Sequence, residues 1–192
     1  KKGMKKMECT NLKNIILELQ GAATQVEEEQ IEKFADAIID AKRIFVAGAG
    51  RSGFAARGFA NRLLHLGFQV AFVGEPTTPP IKEGDLLVIG SGSGTTSGLV
   101  VMAEKAKKQG ADIVTVTINP ENTIGSMAKV YIKLPGTTRL LGEKQNKEGS
   151  IQPVGSMFEQ LSWLTYDSVI MTLKARTGQS NEDLIARHGN LE

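Results

Sequence analysis

Two regimes of apolar patterning divide the chain. Up to about residue 41 the apolar residues recur at helical spacing: Leu12, Ile15, Ile16 and Leu19 within residues 11–20, then Ile31, Phe34, Ala35, Ile38 and Ile39 within residues 25–41. Thr24 with Glu27 three residues on predicts a capping box at the start of the second helix. The run Glu27-Glu28-Glu29 then suits the positive end of its dipole. From residue 43 short apolar runs alternate with helical stretches. Strands are predicted over 43–47, 68–73, 86–89, 113–118 and 130–134, and helices over 54–66, 95–109, 123–128 and 155–176, with a further helical turn at 183–187. Gly67 is placed to end the first of these helices at its C′ position. Residues 75–83 hold three prolines, and residues 136–152 are polar and glycine-rich; both read as loops, the second as a lid.

Strands that are continuously apolar and separated by helices belong to a parallel sheet covered on both faces. The fold class is therefore α/β: five parallel strands in the flavodoxin-like order 2-1-3-4-5, flanked by helices. An N-terminal helical arm (1–41), placed to pack on the domain or on another subunit, precedes this single domain (42–192). In that order the chain reverses direction between strands 1 and 3, and ligands bind beyond the carboxyl ends of those two strands.

Both of those strand ends carry a glycine- and hydroxyl-rich turn. The third strand runs through Gly90 into Ser91-Gly92-Ser93-Gly94-Thr95-Thr96 and then a helix. Such a turn converges backbone N–H groups, the helix start adds partial positive charge, and glycines let the backbone approach a ligand closely. The hydroxyls of Ser91, Ser93, Thr95 and Thr96 supply further short donors. This is chemistry for holding a phosphate. No Lys follows the turn, so it is not a nucleotide P-loop. The first strand runs into Gly48-Ala49-Gly50-Arg51-Ser52-Gly53, which fits the dinucleotide fingerprint, with Glu75 near the end of strand 2 as the ribose-binding acid. A nicotinamide-dependent oxidoreductase is one reading of that match. It leaves the second anion-binding turn unexplained and little chain for a catalytic domain. Arg51 is read either as an aid to phosphate binding or as cover for neighbouring surface.

The long helix at 155–176 is apolar nearly all round, which predicts burial in a core or between subunits. Glu159 shares a face with Trp163, Tyr166, Ile170 and Leu173. Two readings stand: a desolvated carboxylate with a raised pKa, suited to act as a base near neutral pH, or a side chain that caps the helix and faces water. His188 lies in Ala186-Arg187-His188-Gly189-Asn190, and His65 shares a helical face with Asn61 and Arg62.

Composition narrows the partners. A formal net charge of +2 over 192 residues, with acids and bases interleaved, gives no case for nucleic acid. Cys9 is the one cysteine and the two histidines are far apart, so neither a disulfide framework nor a metal site is expected. No apolar run approaches the ~18 residues of a membrane span, and no signal peptide is visible. A cytoplasmic location is expected.

The two turns together resemble the sugar-isomerase (SIS) phosphosugar-binding domain. Further stretches are similar to the 6-phospho-3-hexuloisomerase family: Asn61-Arg62-Leu63-Leu64-His65-Leu66-Gly67, Val73-Gly74-Glu75, Thr78-Pro79-Pro80, Gly155-Ser156-Met157-Phe158-Glu159-Gln160 and Arg187-His188-Gly189-Asn190-Leu191-Glu192. That resemblance implies conversion of D-arabino-hex-3-ulose 6-phosphate to D-fructose 6-phosphate in the ribulose monophosphate pathway of formaldehyde fixation, by a homotetramer with no metal and no cofactor. It implies that Ser52, Ser91, Ser93 and Thr96, with the backbone of Gly92 and Gly94, hold the phosphate. Glu159 is then the base, and His188 the family's C-terminal histidine that helps open the sugar ring, in its own or a neighbouring subunit. The alternatives are another SIS sugar-phosphate isomerase and a non-catalytic phosphosugar-binding module, the latter expected to carry an output module.

Overall fold

A computed structural model describes residues 9–138 and 150–191. Two helices, α1 (Thr10–Ala23) and α2 (Glu28–Asp40), lead into β1 (Ile44–Gly48), α3 (Gly50–His65) and β2 (Val70–Phe72). The chain continues through β3 (Leu86–Gly90), α4 (Ser97–Lys108), β4 (Asp112–Thr117), α5 (Thr123–Met127) and β5 (Val130–Lys133), and closes with α6 (Ser156–Thr177) and α7 (Asn181–Ala186). All strand pairs are parallel, in the order β2-β1-β3-β4-β5. Residues 139–149 of the expected lid lie outside the described residues.

The pleat sorts the apolar residues into two layers. Ile44 and Val46 of β1 and Leu86 and Val88 of β3 face α2, α3 and α6, against Phe34, Ile38, Ala56, Leu63, Phe158 and Leu173. Phe45, Ala47, Leu87 and Ile89 face the other way, onto Leu99, Ala103 and Ala106 of α4 and Ile124 of α5. Burial of side chains as complete as those of Phe34 and Ile38 contributes roughly 1.5–3 kcal/mol each. Gly67 adopts φ +88 just past α3, as its C′ role requires.

The capping box expected from Thr24 does not form. The N–H groups of Gln25 and Val26 donate back to Ala22 and Ala23, so the exit turn of α1 consumes those residues. Thr24 ends α1, its hydroxyl donating to the Gly21 carbonyl at 2.7 Å. The second helix starts at Glu28 behind Glu27, with no side-chain cap. A capping box does form at α7, between Ser180 and Asp183.

Candidate active site

Register sets the site. Gly48 and Gly90 are direct partners across β1 and β3, so the two strands end level and their turns begin side by side. A Cβ on Gly48 would lie 2.9 Å from the Gly53 Cα, so only glycine lets α3 leave the strand this tightly. The N-cap residues of α3 and α4 are Ala49 and Thr96, and neither provides a side-chain cap. Both helix starts therefore present first-turn N–H groups and partial positive charge to what lies in front of them. In front of both lies one cavity of about 260 Å³, walled by Ser52, Ser91, Ser93, Thr96, Thr138 and Glu159 among others.

The β3 turn is braced from behind. The Gly92 carbonyl accepts from the Thr117 hydroxyl at 3.3 Å and the Ile118 N–H at 3.1 Å. The Asn122 amide donates to the Ser93 carbonyl, and the Ile124 N–H to that of Gly94 at 3.0 Å. The Gly94 N–H donates to the Ser91 Oγ and the Thr95 N–H to the Ser93 Oγ, both at 3.2 Å, which fixes two buried serines at the cavity wall. Of the expected phosphate ligands, Ser52, Ser91, Gly92, Ser93 and Thr96 line the cavity. Gly94, at φ +63, sits behind the turn with its N–H taken by Ser91, and Thr95 is exposed; neither is among the lining residues.

A further part of the wall comes from the start of α6. Glu159 lies in its first turn with its side chain 18 % exposed, and its Oε2 accepts from the Arg51 Nε at 2.5 Å. It does not face open water as a helix cap would: it is largely withdrawn from solvent and forms one half of an ion pair at the cavity rim. Arg51 rises from the first turn of α3 and is mostly exposed. Its link to Glu159 spans 108 positions, which no local pattern announces. Thr138, Val154, Gly155 and Phe158 also line the cavity, though the sequence singles out none of them as a ligand.

Within one chain the burial expected of α6 is met along one side. It packs Phe158, Leu161, Tyr166, Val169, Ile170 and Leu173 inward, while Trp163, Leu164 and Met171 are 46 %, 52 % and 72 % exposed. Among the described residues the helix rests on its neighbours along one side, which leaves part of its apolar surface exposed.

His188 is not at this cavity. Its ring stacks on that of His65, centroids 4.0 Å apart, at the far end of α3. At 1.5 Å rise per residue, Gly50 at the cavity and His65 at the stack are roughly 22 Å apart. Arg187 fixes the neighbouring backbone by donating to the His65 carbonyl at 3.0 Å and to the Gln179 Oε1 at 2.8 Å. Glu75, the ribose-binding acid of the dinucleotide reading, pairs with Arg57 at 2.5 Å and does not line the cavity.

Residues 37–141 match the model of the SIS domain family. The chain is 44 % identical over 178 residues to a 3-hexulose-6-phosphate isomerase of Bacillus subtilis, covering 93 % of this chain and 95 % of that protein. It is 41 % identical to a 3-hexulose-6-phosphate isomerase of Mycobacterium gastri, covering 95 % and 90 %. Among solved structures it is similar to a hypothetical protein of Methanococcus jannaschii, at 34 % identity and a TM-score of 0.75 over 94 % of this chain and 96 % of that one. For that protein a molecular function of 3-hexulose-6-phosphate isomerase has been inferred from its crystal structure. With two uncapped helix starts over one hydroxyl-lined cavity, and with likeness over nearly its whole length, the chain belongs to the SIS domain family, in the branch of the 3-hexulose-6-phosphate isomerases.

Proposed function

We propose that the chain isomerises D-arabino-hex-3-ulose 6-phosphate to D-fructose 6-phosphate, the reaction that serves formaldehyde fixation in the ribulose monophosphate pathway. The observation that carries this reading is the joint wall of one cavity: two helix N-termini without side-chain caps and a carboxylate line it together. The phosphate sits against the first-turn N–H groups of α3 and α4 and the hydroxyls of Ser52, Ser91, Ser93 and Thr96. Binding energy from this end fixes the reacting carbons against Glu159.

Moving a carbonyl from C3 to C2 needs no hydride donor. Glu159 removes the proton on C2, and the electrons of that C–H bond form the C2–C3 double bond of an enediolate as the C3 carbonyl becomes an oxyanion. The protonated Glu159 then returns a proton to C3, and a second proton passes from the C2 oxygen to the C3 oxygen, which leaves the ketone at C2. One carboxylate serves both carbon transfers. Arg51 holds that carboxylate at the rim and brings positive charge beside the developing enediolate. His188 acts on ring opening from a neighbouring subunit of a homotetramer.

A coupled assay that follows fructose 6-phosphate from the hexulose substrate tests this. Glu159→Gln is expected to lower kcat by about 100-fold or more, the scale of a lost general base, with KM near that of the wild type. Undiminished turnover by this variant refutes the assignment.

A further inference from the structure

Tyr166 lies seven residues beyond Glu159 on α6, so the two share a helical face roughly 10 Å apart. Its ring is 2 % exposed and stacks on Phe59 of α3, centroids 4.5 Å apart and 18° from parallel. Its hydroxyl is buried and has no hydrogen-bond partner among the described residues. Burial pushes the phenol far above its usual pKa, so the group stays a neutral hydroxyl. A hydroxyl buried without a protein partner is costly, and a phenylalanine would fill the same space without that cost.

The position of the oxygen gives it a use. A Cβ built on Gly90 would lie 2.7 Å from the Tyr166 Oη, too close to exist. Its next neighbours, the Ala56 Cβ and the Ser52 carbonyl oxygen, are at an ordinary 3.8 Å. Gly90 is not at positive φ, so its backbone accepts any residue; the hydroxyl alone excludes a side chain there. Gly90 ends β3, and Ser91 and Ser93 follow it directly. Contact between Tyr166 and Gly90 therefore joins the helix that carries the carboxylate to the strand end that carries the serine turn.

We propose that Tyr166 is a positioning residue whose hydroxyl acts as a spacer between α6 and the end of β3, setting the distance from Glu159 to the phosphate-binding turn. This deepens the functional reading above and rests on it: a base must meet C2 of a sugar anchored at its 6-phosphate, so that distance selects substrate length and alignment. Tyr166 touches no substrate and acts through Glu159.

The spacer predicts a compensating pair. Tyr166→Phe removes the oxygen and lets α6 settle toward the strand. Gly90→Ala adds a methyl group against the oxygen and pushes the helix away. Each single variant is expected to lose kcat by about ten- to a hundredfold, the cost of roughly an ångström of misplacement. In Tyr166→Phe, KM should stay close to that of the wild type, because the phosphate ligands belong to α3 and to the turn between β3 and α4. In the double variant the new methyl occupies the space the oxygen left, and kcat should recover to within a few-fold of the wild type, a strongly non-additive result. A purely structural role for Tyr166 would change the melting temperature of Tyr166→Phe and leave its kcat untouched. Wild-type kcat in Tyr166→Phe, or a double variant whose losses merely multiply, overturns the proposal. Crystal structures of the three variants read the same spacing without activity: the separation of the Glu159 and Ser93 Cα atoms should shift in each single variant and return in the double. An unchanged separation overturns the spacer as well. Absence of turnover in the wild-type chain would overturn the functional reading alone.

Discussion

Asp85 is a carboxylate with no side-chain exposure, at the entry to β3. Burial alone would push its carboxyl upward. Against that, Arg43 donates from Nε at 3.0 Å and from Nη2 at 2.6 Å, and the Lys82 N–H donates at 2.9 Å. With the charges of Arg43 and Lys82, these bonds hold the carboxyl below its ordinary 3.8. Arg43 immediately precedes β1, so the pair ties together the entries of the two strands whose exits form the site. The folded-state pKa is depressed, so the stabilisation is complete well above pH 3.8 and is lost as pH falls through the lower, folded value. Arg43→Ala strands a buried charge and should lower the thermal midpoint at pH 7 by about 5 °C or more. Asp85→Asn should flatten the loss of stability on acidification below pH 4. Unfolding curves at several pH values check both, and an Arg43→Ala midpoint equal to that of the wild type would count against the pair. Residue-scale features of this kind were the least legible in the sequence. Asp85 and Arg43 are 42 positions apart and Arg51 and Glu159 are 108 apart, and single charges at such separations leave no periodic trace. The serines and glycines of the two turns were legible because their chemistry is local, crowded into six residues after a strand.

At the scale of elements, periodicity located each strand and helix to within a few residues, and the parallel order followed from their alternation. What it left open in two places has one physical reason. An apolar residue in a helix says that some surface wants cover, and not which surface supplies it. Thus periodicity left open whether the apolar surface of α6 meets a core or another subunit, and whether the N-terminal helices pack on the domain or on another subunit; Ile31, Phe34, Ala35 and Ile38 of α2 sit in the same core layer as β1 and α6. The first helix reaches the site through one carboxylate. Burial works to raise the pKa of Glu18, but hydrogen bonds from Gln152, Ser150 and the Ile151 N–H together hold it below 4.5. The Gln152 Nε2 donates at 2.7 Å and the Ile151 N–H at 2.9 Å. Residues 150–152 lead directly into Val154 and Gly155 at the cavity wall and on to α6. Glu18→Ala should release this strap: faster amide exchange at Ile151 by about tenfold or more, and a raised KM, with kcat per occupied site near that of the wild type. Protonation of Glu18 acts in the same direction, so wild-type protection at Ile151 should weaken as pH falls below 4.5 through the lower, folded pKa. Unaltered exchange at Ile151 in Glu18→Ala would show that the strap is held by something else.

For the molecule as a whole, one chain does not bring its own His188 to its own Glu159. The histidine is stacked on His65 roughly 22 Å along α3 from the cavity. Beside the Arg51–Glu159 pair, Phe54, Trp163 and Leu164 line an apolar groove of about 430 Å³, and all three are strongly exposed. A contiguous apolar surface next to a site that lacks one of its expected residues is what a shared site looks like from a single copy. If the sites are completed across copies, two dead variants can rescue each other. Glu159→Gln supplies a sound His188, and His188→Ala supplies a sound Glu159. Refolded together in equal amounts, they should form mixed oligomers in which about one quarter of the sites hold both sound residues, and activity should return to that fraction. Neither variant alone, nor the two mixed without subunit exchange, should show it. Size-exclusion chromatography with light scattering supplies the companion measurement, a particle larger than one chain that persists in both variants. A monomeric wild type, or a His188→Ala chain as active as the wild type, would remove the histidine from the chemistry and leave Glu159, Arg51 and the two turns to carry the reaction within one chain.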